Sequence, residues 1–248
     1  MKIIAAIQAR FTSKRLPGKV MLELENKPVI WHIYQRLKST PSIDNVVLSI
    51  GDADENQIIK TFAQNEKIPI YQGSEVDVIE RLYKTTEIFG GDLMIRITAD
   101  CPLVDPKIVE NMIQFYKKDP KKFDIITNCK KPTFPHGFDV EIYSKKILKE
   151  MNQNINDKRL REWFPVYIDK NLEKFKIHHF TNDKNLSSYR LTIDYPEDYK
   201  LIKKIFAEFY SKNKNFGMED IICFLRNKPE LLEINSKYQH YRNLDAPI

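Results

Sequence analysis

The chain has 248 residues, of which 42% are hydrophobic and 30% are charged, and this composition argues against an intrinsically disordered protein and against a membrane protein. This length can form one large α/β domain or two small ones, and we predict a single domain over residues 1–248. The formal charge of +6 at pH 7 suits a phosphorylated small molecule, nucleic acid or merely a lysine-rich surface, and charge alone does not distinguish these.

The longest apolar runs have the length of strands, and the chain starts directly in a strand-like run. We therefore expect no transmembrane helix, no signal peptide and a cytoplasmic protein without a membrane partner. The three cysteines lack CxxC spacing, which argues against a disulfide framework and against a zinc site.

Strand-like and helix-like segments alternate through the first 130 residues. This pattern is typical of an α/β fold with a mostly parallel sheet sandwiched by helices. The predicted strands cover residues 3–7, 46–50, 68–71, 93–98 and 123–127, and the predicted helices cover residues 29–38, 52–65, 76–89 and 107–118. Right-handed crossovers place the loops after the strands at one edge of the sheet, where ligands bind in open α/β folds.

The pattern changes between residues 130 and 190, which we interpret as a small antiparallel insertion that covers the site. Residues 138–143 alternate acidic and apolar side chains, as in a strand with one wet face. Further strands are predicted over residues 175–180 and 189–193, followed by a helix over residues 197–212. The segment after Lys228 is expected to carry little chemistry.

The first predicted strand leads into a strongly basic loop. Arg10, Lys14, Arg15 and Lys19 lie within ten residues, and Gly18 can adopt backbone angles that other residues avoid. Such a loop can surround several phosphate oxygens at once, which makes it a candidate triphosphate site. It is not a Walker P-loop, because G-x-x-x-x-G-K-[ST] is absent. The alternative interpretation is a solvated basic turn.

Two acidic residues follow predicted strands at the same edge of the sheet. Asp100 follows residues 93–98, and Asp194 follows residues 189–193. Together they could hold Mg²⁺, which prefers one or two protein carboxylates plus phosphate oxygens and water. Each acid alone could instead cap a helix. Their combination with the basic loop favours the metal site.

Four motifs carry a resemblance to a known family. They are Gln8-Ala9-Arg10 with Arg15-Leu16-Pro17-Gly18-Lys19, Arg96-Ile97-Thr98-Ala99-Asp100-Cys101-Pro102-Leu103, Gly137-Phe138-Asp139-Val140-Glu141, and Thr192-Ile193-Asp194-Tyr195-Pro196-Glu197-Asp198. The chain resembles the cytidylyltransferase superfamily, and within it the SpsF-like proteins of spore coat polysaccharide biosynthesis, which are related to CMP-Kdo and CMP-sialic acid synthetases. The similarity runs in order through nearly the whole chain, including residues 229–235.

The resemblance implies a nucleotide-diphospho-sugar transferase-like, Rossmann-like fold and a Mg²⁺-dependent cytidylyltransferase. In such enzymes an acceptor oxygen attacks the α-phosphate of CTP and pyrophosphate leaves. We expect a small phosphorylated or acidic acceptor, such as a sugar, polyol or amino acid phosphate, used in capsule or surface polysaccharide biosynthesis. A phosphate acceptor would give a CDP-linked product and a hydroxyl acceptor a CMP-linked one. The resemblance also suggests a homodimer.

The resemblance assigns roles by position. Its implied catalytic residues are Arg10, Arg15 and Lys19, which would hold the triphosphate, and Asp100 and Asp194, which would hold the metal. The implied nucleotide-binding residues are Ala6, Gln8, Ala9, Arg10, Lys19, Arg81, Thr98, Ala99 and Asp100, and the implied acceptor-binding residues are Arg96, His136, Asp139, Glu141 and Arg161.

The acceptor side departs from the family pattern. Relatives usually carry Arg at the position of His136 and His at that of Trp163, so we expect the acceptor pocket to differ from theirs. Asp139 and Glu141, on one face of their predicted strand, could bind an amine or hydroxyls of an acceptor, support the metal, or pair with surface lysines. Arg161 could bind an acceptor phosphate or carboxylate, or form a salt bridge on a helix surface. The other histidines are expected to be structural or exposed: His32, His178, His179 and His240.

Other functions remain open from the residues alone. The same fold could use another nucleotide, as a guanylyl- or uridylyltransferase, or it could be a glycosyltransferase that binds a finished nucleotide sugar. A basic nucleic-acid-binding protein is the alternative from a different class, although the chain has no helix-turn-helix, RRM or zinc-finger signature. From the resemblance we expect CTP and a small acceptor as partners. Because those nucleic-acid-binding signatures are missing, we expect no nucleic acid.

Overall fold

The computed structural model describes residues 1–238. Its strands are β1 (Ile3–Ala9), β2 (Glu23–Leu24), β3 (Lys27–Pro28), β4 (Asn45–Gly51), β5 (Ile70–Gly73), β6 (Leu93–Thr98), β7 (Ile125–Thr127), β8 (Glu141–Ser144) and β9 (Ile177–His179). Its helices are α1 (Val29–Lys38), α2 (Gln57–Asn65), α3 (Val78–Ile88), α4 (Pro106–Lys118), α5 (Lys145–Asn154), α6 (Lys158–Glu162), α7 (Phe164–Asp169), α8 (Pro196–Phe209) and α9 (Met218–Asn227). His240 lies outside the described residues.

The described residues form a sheet of seven strands in the order β5-β4-β1-β6-β8-β7-β9. Neighbours pair in parallel except that β8 runs antiparallel to both β6 and β7. The predicted mostly parallel sheet is therefore confirmed, with its antiparallel strand between residues 130 and 190. A separate antiparallel pair joins β2 to β3.

Helices cover both faces of the sheet, which explains why its central strands read as continuous apolar runs. Successive residues of β1 belong to opposite faces: Ala5 is part of the buried cluster that includes residues of α1, α2, α4, α8 and α9, whereas Ala6 is part of the cluster that includes residues of α3, α5 and α7. No helix within residues 1–238 combines the length and the apolar character needed to cross a membrane.

Residues 189–193 do not form the predicted strand. Their backbone makes only an isolated bridge, between Arg190 and His136. The amide of Leu191 donates to the His136 carbonyl oxygen at 2.7 Å, and that of Ile193 donates to the Asp100 carbonyl oxygen at 2.8 Å. Because these backbone groups pair with loops rather than with a neighbouring strand, Asp194 follows a buried loop segment and not a strand end.

The alternating segment over residues 138–143 also differs from its prediction. Only Glu141 onward belongs to β8, so Asp139 lies before the strand. Glu141 and Tyr143, which the alternation would place on the wet face, are buried, and Asp139 on that face keeps only 22% of its side chain exposed. The acidic residue is tolerated in the interior because Glu141 faces Arg96 of β6 in the strand register and pairs with its guanidinium.

The sheet brings several predicted site residues to one edge. The loops after the parallel strands β1, β4 and β6 leave from the carboxyl edge, and the antiparallel β8 starts there with Glu141 opposite Arg96. The basic loop, Asp100 and the segment around Asp139 therefore share this edge, as the connectivity predicts.

Candidate active site

The basic loop over residues 10–18 closes on itself before a short 3-10 turn. Gly18 has φ 68° and starts this turn, Lys19–Met21, in a left-handed conformation that favours glycine. Its amide donates to the Phe11 carbonyl oxygen at 3.1 Å. The Phe11 amide in turn donates to Oδ1 of the buried Asn56 at 2.7 Å. The loop is thus fixed to the turn before α2, where Nδ2 of Asn56 donates to the carbonyl oxygen of Gly51, the last residue of β4, at 3.2 Å.

Lys19 lies between the two predicted metal-binding acids. Its Nζ is 2.8 Å from Oδ2 of Asp100 and 2.9 Å from Oδ1 of Asp194, and it also donates to the Ile193 carbonyl oxygen at 2.9 Å. The side chain of Lys19 is only 13% exposed. Arg15 adds a second cation, with NH2 2.7 Å from Oδ1 of Asp194. Four of the five predicted catalytic residues therefore meet in one cluster.

The charges in this cluster stabilise one another. Burial alone would lower the pKa of Lys19, but the carboxylates of Asp100 and Asp194 outweigh it and raise that pKa. Burial would likewise raise the pKa of Asp100, yet the charge and hydrogen bond of Lys19 hold it well below its usual range. The pKa of Asp194 is also lowered: Lys19 and Arg15 overcome both its burial and the repulsion from Asp100. All these groups are therefore charged at neutral pH.

Neither acid caps the helix that follows it. Asp105 caps α4 by accepting the Lys107 amide at 2.8 Å. At α8, Asp198 accepts the amides of Asp194 and Tyr195, each at 3.0 Å. The capping interpretation therefore does not explain why Asp100 and Asp194 face each other.

The donor set fits a hard divalent cation. Two carboxylates converge on one ammonium group at hydrogen-bond distance, which shows that a single cation can contact both. Within residues 1–238 no group of three or more His, Cys, Asp or Glu side chains is arranged to hold a metal. Two carboxylates, completed by phosphate oxygens and water, are characteristic of Mg²⁺.

Arg10 and Arg81 lie away from this cluster. Arg10 is 53% exposed and its NH1 is 3.5 Å from Oε1 of Glu162. Arg81 is buried, and its NH1 donates to the carbonyl oxygens of Ser74 and, at 3.2 Å, Glu75. Burial lowers the pKa of Arg81, and the charge of Arg10 is among the lesser contributors in the same direction. Arg10 directly follows β1, and Arg81 lies in α3 and contacts the residues that follow β5.

The remaining predicted nucleotide-binding residues lie at the ends of β1 and β6. Ala6 and Ala9 are buried in β1. The Ala99 amide donates to the Gln8 carbonyl oxygen at 3.0 Å, and Thr98 Oγ1 lies 3.4 Å from Cys101 Sγ. The bond between Ala99 and Gln8 joins the ends of β1 and β6 beside Asp100.

Arg96 and Glu141 neutralise each other inside the protein. Arg96 NH1 pairs with Oε2 of Glu141, and its Nε donates to Gln8 Oε1 at 2.7 Å. Its guanidinium also lies over the Phe164 ring, 5.3 Å from the centroid. Tyr143 donates its hydroxyl to Oε1 of Glu141 at 3.0 Å. A role of Arg96 or Glu141 toward an acceptor stays a prediction.

The other predicted acceptor residues occupy two different places in the structure. His136 Nε2 lies 3.7 Å from Oδ2 of Asp139, and its Nδ1 lies 3.3 Å from NH1 of Arg190, which pairs with Asp194. Arg161 is more remote: its Nε donates to Asp77 Oδ2 at 2.6 Å, and its other nitrogens bond to Asn152 and Ile155. Arg161 thus forms a salt bridge, although with the residue that caps α3 and with side chains only 16% and 26% exposed rather than on a helix surface. Acceptor binding by Arg161 stays a prediction.

The sequence interpretation assigned no site role to three buried residues near the cluster, Arg190, Asp198 and Asn235. Arg190 pairs with Asp198 at 2.8 Å and with Asp194 at 3.3 Å. Asn235 donates to Oδ1 of Asp198 at 2.8 Å. The available signal was Asp198 in the first turn of a predicted helix, a position typical of capping. Nothing in the local pattern indicated that Arg190 and Asn235 would reach it.

Comparison with known proteins gives consistent findings. A family model described as Cytidylyltransferase matches residues 4–227. The solved structure of a cytidylyltransferase from Leptospira borgpetersenii serovar Hardjo-bovis is 31% identical, covers 94% of this chain and 97% of that one, and superposes with a TM-score of 0.89. The spore coat polysaccharide biosynthesis protein SpsF of Bacillus subtilis is 26% identical, over 92% of this chain and 95% of SpsF. An 8-amino-3,8-dideoxy-manno-octulosonate cytidylyltransferase of Shewanella sp. strain W3-18-1 is 27% identical over 51% of this chain and 52% of that enzyme.

Proposed function

Because the chain belongs to the cytidylyltransferase family, we propose that it transfers a cytidylyl group from CTP to a small phosphorylated or acidic acceptor. In this reaction an acceptor oxygen forms a bond to the α-phosphorus, and the bond from that phosphorus to the pyrophosphate oxygen breaks. The products are pyrophosphate and a CDP-linked or CMP-linked acceptor.

The observation that carries the proposal is the cluster of Lys19, Arg15, Asp100 and Asp194 at the carboxyl edge of the sheet. Phosphoryl-type transfer depends mainly on alignment and on electrostatic stabilisation, so no protein nucleophile is needed. Lys19 and Arg15 supply positive charge for the triphosphate and for the charge that builds on the leaving pyrophosphate. Arg10 adds a half-exposed cation at the start of the same loop.

Asp100 and Asp194 would hold Mg²⁺. When bound there, Mg²⁺ would act as a Lewis acid that stabilises negative charge on the phosphate oxygens. Both carboxylates are charged because their pKa values are lowered, as metal binding requires. Lys19 uses the facing oxygens of both acids. It must therefore exchange these contacts for triphosphate oxygens when the metal-nucleotide complex binds.

Different residues are proposed to bind the cytosine base and the acceptor. On the nucleotide side, backbone groups of residues 6–9 and the buried Arg81 are proposed to contact the cytosine. On the acceptor side, His136 contacts Arg190, whose guanidinium pairs with Asp194, and Asp139 lies 3.7 Å from His136. The name of the Bacillus subtilis relative supports a product used in the assembly of a surface polysaccharide.

The experiment that tests this function is pyrophosphate release with Mg²⁺, measured across CTP, UTP, GTP and ATP. Each nucleotide is combined with ulosonic acids, sugar phosphates, polyol phosphates and amino acid phosphates. We expect release with CTP and one acceptor class, and mass spectrometry then distinguishes a CDP-linked from a CMP-linked product. Pyrophosphate release with only GTP or UTP would identify that nucleotide, and not CTP, as the substrate. If the protein binds no nucleotide at all, the proposal is wrong.

A further inference from the structure

The segment after α9 packs back on the candidate site. Residues Pro229–Tyr238 form 3-10 turns that lie against α8, whose first turn follows Asp194. The sequence interpretation expected little chemistry here. Two side chains of this segment nevertheless reach the residues that surround Lys19 and Asp194.

The first of them is Asn235, which is 2% exposed. Its Nδ2 donates to the Arg190 carbonyl oxygen at 3.1 Å and to Oδ1 of Asp198 at 2.8 Å. Asp198 also accepts the amides of Asp194 and Tyr195 and pairs with the Arg190 guanidinium. Asn235 therefore orients the Asp198 carboxylate by hydrogen-bonding one of its oxygens, while the other oxygen accepts the Asp194 amide.

The second is Tyr238, which stacks on Tyr195. The two ring centroids are 3.7 Å apart and the planes differ by 4°. The same Tyr195 ring contacts two guanidinium groups: that of Arg15 at 5.1 Å and that of Arg190 at 5.7 Å from its centroid. Because a stacked ring loses freedom to rotate, Tyr238 fixes the aromatic surface against which Arg15 lies.

We propose that the segment Pro229–Tyr238 is a working part of the active site, in which Asn235 positions Asp194 and Tyr238 positions Arg15. This inference rests on the proposed function, because it takes Asp194 as a metal ligand and Arg15 as a triphosphate ligand. Asn235 acts through Asp198, and Tyr238 acts through Tyr195. Both are positioning residues rather than catalytic ones.

The test for Asn235 compares Asn235→Ala with Ser236→Ala in the full-length chain. Ser236 is the neighbouring residue, and its hydroxyl bonds to the Glu233 carbonyl oxygen within the same segment. Binding of Mn²⁺ in the presence of CTP is followed by electron paramagnetic resonance. Loss of a residue that orients a metal ligand typically weakens metal binding about 10- to 100-fold, and we expect this for Asn235→Ala only. Unchanged Mn²⁺ affinity, whatever the change in melting temperature, would overturn the role of Asn235.

The test for Tyr238 compares Tyr238→Ala with Tyr238→Phe. The phenylalanine keeps the ring that stacks on Tyr195 and removes the hydroxyl that bonds to Glu197. We expect Tyr238→Ala to weaken CTP binding about 10-fold through Arg15, and Tyr238→Phe to restore it. Equal weakening in both variants, or in neither, would overturn the role of the stack. Tyr238 is half-buried, so folding is expected to survive both changes.

These measurements separate failure of the segment from failure of the proposed function. Binding of CTP and Mn²⁺ needs no acceptor, so both variants can be assessed before the acceptor is known. If the wild-type chain binds neither CTP nor Mn²⁺, the proposed function fails. If the wild type binds both and the variants match it, only the role of the segment is wrong.

Discussion

Lys19 is the residue on which the proposed chemistry depends, because one ammonium group faces both candidate metal ligands. Its raised pKa, caused by Asp100 and Asp194 against the opposing effect of burial, keeps it charged. The same cation neutralises the two carboxylates and is expected to bind the triphosphate. All three of its N–H groups are used, on Asp100, Asp194 and the Ile193 carbonyl oxygen, so binding the triphosphate requires Lys19 to give up at least one of these contacts.

We predict opposite effects of Lys19→Gln on two ligands. Mn²⁺ alone should bind more tightly, because the internal cation no longer competes for the carboxylates. CTP should bind about 10- to 100-fold more weakly, because a charge-assisted hydrogen bond contributes about 1.5 to 3 kcal/mol. Calorimetry with each ligand separately measures both effects. If neither affinity changes, Lys19 does not belong to the site.

Asp100→Asn and Asp194→Asn test the metal ligands directly. Each substitution preserves shape but removes the charge that a hard cation requires, so we expect turnover to fall at least about 100-fold. Circular dichroism should show an intact fold. Asp183→Asn, at an exposed position, is the matched control. Turnover near that of the control in both variants would remove these acids from the metal site.

At the scale of elements, the segment over residues 189–194 is held by its contact with the turn at Gly137. Gly137 has φ 108°, and a Cβ there would lie 2.3 Å from the Leu191 carbonyl oxygen. We predict that Gly137→Ala costs about 1 to 3 kcal/mol of stability and also lowers activity, because Leu191 leads directly to Asp194. Urea unfolding and turnover measure the two effects. A stable, fully active variant would show that this contact does not position Asp194.

Asp105 connects two helices through one carboxylate. Its Oδ1 accepts the Lys107 amide at the start of α4, and its Oδ2 accepts the Met218 amide at the start of α9, both at 2.8 Å. We predict that Asp105→Ala lowers the free energy of unfolding by about 1 to 2 kcal/mol. Asp105→Asn keeps one acceptor oxygen and should lose about half as much. Equal losses in both variants would contradict this division.

At the scale of the whole molecule, stability should depend on pH through His32 of α1. His32 is buried, and burial is the main cause that lowers its pKa from 6.5 to about 4. Its Nε2 lies 2.7 Å from the Leu24 carbonyl oxygen, and its ring contacts Phe206 edge-on. The sequence expectation of a structural histidine agrees with this environment.

The sign of the effect follows from the unfolded chain, which binds the His32 proton below its ordinary pKa of 6.5. Between that pH and about 4 the unfolded state holds more protons than the folded state, so stability falls as pH falls. The largest loss is about 3 kcal/mol. Urea unfolding from pH 7 to 4 should show a shallower pH dependence for His32→Gln. An identical dependence in both proteins would exclude His32 as its source.

The sheet and its helices could be predicted because periodicity reports burial. The predicted helix over residues 29–38 and strand over residues 93–98 coincide with α1 and β6. The segment over residues 189–193 misled the prediction because apolar side chains show that it is buried, but not whether its backbone bonds to a strand or to loops. Local pattern carries no information about the partner of a hydrogen bond.

The fold class, the family and the candidate site residues could be recognised in the sequence, because short motifs and strand-end loops are local features. Which charges meet became visible in the folded chain: Lys19 with Asp100 and Asp194, Arg96 with Glu141, and Arg161 with Asp77. The tertiary structure also brings Asn235 to Asp198 across 37 positions of the chain. The physical reason is that the energy of a buried charge depends on its neighbours in space, and these neighbours come from distant parts of the chain.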